Sequence, residues 1–185
     1  MKILHLTSQD YLTTTWSGGT TTQLLIWPAG ADYASRKFSV RISSAVVALA
    51  ESDFTPLPGV LRYITPLEGG FTLTHPGKSP VVMAAMDAPY RFSGGESTHC
   101  VGMATDLNLM LQGVDGEMRR QAGICPVRPG LNGFYAPQSR VYHLNGREYA
   151  LAAGDLLVVF SRENGELDLG SGDSFVCWAD VEIPE

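Results

Sequence analysis

A chain of 185 residues with 44% hydrophobic content is long enough to bury a sizeable core, so a globular protein is expected. Its formal net charge of -6, with only 13 Lys and Arg scattered along the sequence, offers no basic stripe for phosphates and argues against a nucleic-acid partner. The longest apolar runs, 45–50 and 81–86, fall well short of the ~20 residues of a membrane span. The N-terminus turns polar at Thr7, unlike a secretory signal, so a cytoplasmic location without membrane contact is expected.

The first distinctive segment is Trp16-Ser17-Gly18-Gly19-Thr20-Thr21-Thr22-Gln23-Leu24. Its glycines let a backbone approach a ligand, its hydroxyls and amide supply hydrogen bonds, and the indole could wall a pocket. A Gly-Gly turn leading into a Thr-rich strand that continues through Leu24-Leu25-Ile26-Trp27 is equally well supported. Next, Phe38-Ser39-Val40-Arg41-Ile42-Ser43 alternates with period two, predicting a strand with Phe38, Val40 and Ile42 on one face and Ser39, Arg41 and Ser43 on the other. Strands are predicted at 61–65, 71–75 and 90–92, and then where Leu107, Leu109 and Leu111 oppose Asp106, Asn108 and Met110. In the second half, strands at 141–144, 156–160 and 175–179 are interleaved with Asn-Gly pairs at 132–133, 145–146 and 164–165, read as hairpin turns.

With 20 Gly and 11 Pro punctuating these runs and no long helical pattern, the chain reads as all-β, a sandwich or closed barrel. Leu67-Glu68-Gly69-Gly70-Phe71-Thr72-Leu73 loosely repeats as Leu144-Asn145-Gly146-Arg147-Glu148-Tyr149-Ala150-Leu151, which suggests two barrels in one compact unit, with halves 1–111 and 112–185. Cys100, Cys125 and Cys177 are odd in number and widely spaced, as expected of buried free thiols in a reducing compartment. His5, His75, His99 and His143 stand singly, and His99 with nearby Glu96 makes at most two ligands, so neither a metal nor another cofactor is expected. Gly-x-Ser-x-Gly, a phosphate loop and a dinucleotide fingerprint are all missing.

Four of these segments, in order, resemble the HutD/Ves family: Trp16 to Leu24, Phe38 to Ala45, Phe54-Thr55-Pro56-Leu57-Pro58-Gly59-Val60-Leu61-Arg62 leading into Leu67-Glu68-Gly69, and Thr105-Asp106-Leu107-Asn108-Leu109-Met110. The resemblance implies a bicupin, two small jelly-roll-like antiparallel barrels. It also implies a link to histidine utilisation or stress response, since the family includes a protein encoded with histidine-utilisation enzymes and a stress-induced one, neither established as an enzyme. Where the family often has Asn two positions after the Trp, this sequence has Gly18 or a one-residue deletion, and Gln23 stands where Glu is common, which alters the expected polar contacts.

Placed on barrel strands, Trp16, Gly19, Thr20, Thr21, Gln23, Arg41, Ser43, Phe54, Arg62, Asp106 and Asn108 make a candidate ligand site. Arg41 and Arg62 suit a carboxylate through planar bidentate hydrogen bonding, and Trp16 and Phe54 suit pocket walls. The structural alternative is an Arg41–Asp106 ion pair closing the barrel. The expected function is metal-independent binding or sensing of a small carboxylate, with a homodimer expected by analogy. The rivals are a metal-independent isomerase or lyase using Asp106 or His99 as base, and a purely structural interaction protein.

Overall fold

The computed structural model describes residues 1–183, and among them the chain forms strands and no helix. The first ten strands are β1 (Lys2–Leu6), β2 (Leu12–Trp16), β3 (Gly19–Trp27), β4 (Val40–Val47), β5 (Glu51–Asp53), β6 (Val60–Thr74), β7 (Val81–Ala84), β8 (Tyr90–Ser93), β9 (His99–Val101) and β10 (Ala104–Gln112). Eight more follow: β11 (Gly116–Gln121), β12 (Ile124–Val127), β13 (Gly130–Tyr135), β14 (Arg140–Leu144), β15 (Arg147–Leu151), β16 (Leu156–Ser161), β17 (Gly165–Asp168) and β18 (Ser174–Ala179). They divide into two units, Leu12–Gly113 and Met1–Tyr11 joined by the chain from Val114 onward. The first eleven residues therefore do not belong with the rest of the expected half 1–111. The reason is pairing: β1 runs antiparallel to β16 from Lys2↔Phe160 to Leu6↔Leu156.

In that split unit a five-stranded sheet, β1-β16-β13-β18-β11, faces a four-stranded sheet, β12-β17-β14-β15. Phe134, Val159 and Val176 from the first and Tyr142, Leu144 and Leu167 from the second share one apolar cluster. Each such burial contributes about 1.5–3 kcal/mol, which holds the two sheets face to face. Of the three Asn-Gly pairs, Asn145-Gly146 is the expected hairpin turn, with φ of 51° and 75° between β14 and β15. The other two are not hairpin turns. Asn132-Gly133 lies inside β13, which is paired on both sides, and Asn132 is buried with its side chain bonded to both backbone groups of Arg128 at 2.8 and 2.9 Å. Asn164-Gly165 lies where the chain crosses from β16 in one sheet to β17 in the other.

The unit Leu12–Gly113 is built on a nine-stranded antiparallel sheet in the order β2-β3-β4-β10-β6-β9-β5, with β7 and β8 also paired to β6. Its long strand β6 turns the sheet. The first part of β6 pairs with β10 and β8, and the last part with β7 and β9. The central strand β10 is flanked by β4 and β6 and buried on both faces. Leu107, Leu109 and Leu111 fill one face as the alternation predicts, and Asp106, Asn108 and Met110 occupy the other. Phe38 departs from its predicted place. It precedes β4 and packs with Leu57, Val60 and Met110, so the regular alternation begins only at Val40.

Candidate functional site

Residues in register on neighbouring antiparallel strands share a face, and three such rows assemble the candidate site. The first is Ile26, Arg41, Met110, Arg62 and Phe92 across β3, β4, β10, β6 and β8. The second is Gln23, Ser43, Asn108, Ile64 and Tyr90. The third is Thr21, Ala45, Asp106 and Pro66. One face of one curled sheet thus carries Gln23, Arg41, Ser43, Arg62, Asp106 and Asn108, gathered from four strands. Thr20 pairs with Val46, so it lies on the opposite face from Thr21 and Gln23.

Both arginines are buried, with 6% and 7% of their surface exposed. Arg41 donates from Nε to Gln23 Oε1 at 3.0 Å and from a terminal nitrogen to Ser43 Oγ at 3.2 Å. Its guanidinium lies 4.0 Å from the centre of the Tyr33 ring. Arg62 donates to Asn108 Oδ1 at 3.1 Å, and the Asn108 amide in turn donates to Asp106. The Arg62 guanidinium sits 4.8 Å from the Phe54 ring and 5.1 Å from Phe92. The Arg41–Asp106 ion pair considered above does not form. Among the described residues neither Arg41 nor Arg62 takes part in an ion pair with any carboxylate. Arg62 Nε is buried with no acceptor at all.

Burial disfavours charge on all three ionisable groups. It lowers the pKa of Arg62, against an opposing pull from Asp106, and it lowers that of Arg41. Burial pushes the Asp106 carboxyl up to about 7, although Arg62, the Ala45 backbone and the Asn108 amide all favour its ionised form. Near neutral pH this carboxyl therefore only partly offsets the charge of Arg62.

The Gly-Gly segment has a packing explanation. A Cβ on Gly19 would stand 1.8 Å from the Val46 carbonyl oxygen, and one on Gly18 would meet the Trp16 ring at 2.0 Å. Trp16 ends β2, lies across Gly18 and is 39% exposed. His99 is on another face. It pairs with Thr74 in register, next to the core pair Cys100↔Leu73, and its exposed ring bonds to Asp53 Oδ1 at 2.9 Å. Glu96, expected near His99, instead binds Lys78 at 2.7 Å. Sequence reasoning missed Tyr33, which reaches Arg41 from the loop before β4, and Phe92, whose partner Arg62 lies thirty residues away on another strand. The alternation at 90–92 was the available signal for Phe92; Tyr33 had none. Among the described residues no three His, Cys, Asp or Glu side chains converge as metal ligands, and no helix is long and apolar enough to cross a membrane.

Solved structures resemble this one over nearly its whole length. HutD from Pseudomonas fluorescens SBW25, in a formate condition, has a TM-score of 0.81 at 20% identity, covering 96% of this chain and 98% of its own. A conserved protein of unknown function from Pseudomonas aeruginosa PAO1 has a TM-score of 0.80 at 23% identity, covering 98% and 100%. YhhW from Escherichia coli has a TM-score of 0.69 at 10% identity, with both chains fully covered. At these identities the likeness speaks for the fold, which is the all-β cupin type. No curated protein sequence matches the chain. The HutD family model matches residues 8–178, spanning both units, and the chain belongs to the HutD family.

Proposed function

We propose that the unit Leu12–Gly113 binds a small carboxylate metabolite at Arg41 and Arg62, as a cytoplasmic sensing or regulatory protein. One observation carries this reading: two guanidinium groups are buried on one sheet face without a carboxylate ion pair, and one of them keeps a buried donor unused. A buried cation needs a partner, and an orphaned buried N–H calls for an acceptor. A monocarboxylate answers both needs, because a guanidinium offers it two parallel donors. The family's association with histidine utilisation points to a formylated amino acid or a histidine-breakdown intermediate.

Calorimetric titration with formate, acetate and N-formylglutamate tests the proposal, with chloride as control. Binding of at least one carboxylate, lost in Arg41→Met and Arg62→Met, is expected. Binding by none, or unchanged binding by both variants, overturns it.

The Asp106 carboxyl, held near neutrality within reach of the Arg62 charge, favours a second reading as a proton-abstracting isomerase or lyase. Deuterium exchange from solvent into a bound carboxylate, abolished in Asp106→Asn, is its signature. A ligand recovered without deuterium rules it out.

A further inference from the structure

Two buried side-chain polar atoms among the described residues have no hydrogen-bond partner, Arg62 Nε and His75 Nε2. Both belong to side chains packed on the same ring: the Arg62 guanidinium is 5.1 Å from the centre of Phe92, and the His75 ring is 5.3 Å from it. Strand β6 accounts for the pairing. Its first part carries Arg62, and in its last part Phe71 and Leu73 are buried while Thr72 and Thr74 are not. His75, one residue past the strand, continues that buried series.

The neighbours of His75 determine its tautomer. The Thr98 hydroxyl lies 3.2 Å from His75 Nδ1 and also 3.2 Å from the Glu96 carbonyl oxygen. A carbonyl can only accept, so the single hydroxyl proton goes to it, and Thr98 Oγ is left to accept from Nδ1–H. A Glu96 carboxylate oxygen, 3.5 Å from the same nitrogen, is another acceptor on that side. With its proton on Nδ1, the singly protonated ring presents Nε2 as a bare acceptor, buried and unused.

Resting on the carboxylate site proposed above, we infer that His75 is a second anchor of that site, whose Nε2 accepts a hydrogen bond from an N–H or O–H group of the ligand. The ligand class narrows accordingly. It is a carboxylate whose anionic end meets Arg62 and whose far end carries a donor such as a hydroxyl, amide N–H or ring N–H. Arg62 and His75 then read opposite ends of one molecule across Phe92, the first donating and the second accepting. A site built this way rejects analogues that lack the donor, because they leave the buried nitrogen unpaired.

Titration calorimetry with propionate, butyrate and valerate against their terminally hydroxylated counterparts tests the inference. At one chain length the hydroxy acid should bind roughly tenfold more tightly than the plain acid. His75→Phe should erase that preference, so that the two acids of one chain length bind equally. His75→Gln, which keeps an acceptor near the position of Nε2, should retain part of the preference. If His75→Phe does not fold, the wild-type comparison and His75→Gln still decide. A long-range proton–nitrogen correlation spectrum of the ligand-free protein should show His75 protonated on Nδ1 and bare at Nε2. Plain and hydroxylated acids binding equally at every chain length, or a proton found on Nε2, overturns the role of His75 and leaves the carboxylate site standing. Failure of both series to bind, with formate, acetate and N-formylglutamate also unbound, overturns the two together.

Discussion

Arg62 combines features that a purely structural arginine would not keep. It is buried, it lacks a carboxylate partner, and its neutral tie to Asn108 leaves Nε idle. Removing one member of a buried ion pair normally costs about 3–5 kcal/mol, whereas among the described residues Arg62 has no carboxylate ion pair to break, and an apolar side chain of similar volume removes the desolvation cost of its charge. Arg62→Met should therefore leave the thermal midpoint of the ligand-free protein unchanged or raised, while the upward shift produced by a saturating carboxylate disappears. A large fall in the ligand-free midpoint would mark Arg62 as a structural tie instead. Asp106 gives the site a pH dependence. Its folded pKa of about 7 lies above the ordinary 3.8, so the folded chain holds its proton more tightly than the unfolded one. Its contribution to stability is full below about 4 and is lost as pH rises to about 7. Carboxylate affinity should follow the same direction, because ionised Asp106 competes with the ligand for Arg62. Titrations at about pH 6 and about pH 8 should show weaker binding at the higher value, and Asp106→Asn should flatten the difference.

Strand geometry turns single residues into a site. Gly19 has a φ of 151° and leaves no room for a Cβ against the Val46 carbonyl, so it permits β3 to lie close on β4 and bring Gln23 to Arg41. Gly19→Ala should destabilise by about 2–4 kcal/mol, read as a lower urea midpoint. Gly18→Ala should cost less, because the obstructing atom belongs to the partly exposed Trp16 ring, which can swing aside. The alternation at Val40–Ser43 and at Asp106–Leu111 was legible because a strand sends successive side chains to opposite faces. Which polar residues on those strands would meet was not legible. That depended on the register of β10 against both β4 and β6, including the irregularity between Thr105 and Asp106. Asn132-Gly133 shows the same limit, since pairing on both sides of β13 overrides the local preference of Asn-Gly for a turn.

At the scale of the whole chain, the first strand and the residues from Val114 onward belong to one compact unit. β1 covers the edge of β16, and His5 Nε2 meets Asp155 at 2.7 Å beside that pairing. Deleting residues 1–11 should expose the β16 edge and lower hydrogen-exchange protection there first, detectable amide by amide. Gly and Pro spacing, period-two alternation and the missing helical pattern were enough to establish an all-β chain, because those signals are local and repeat many times. Four ordered motifs were enough to indicate its family. The partners of Arg62, the isolation of His99 from the arginines and the joining of β1 to β16 were decided only by tertiary structure. Each depends on which distant strands pair and in what register, and no window of local sequence contains that information.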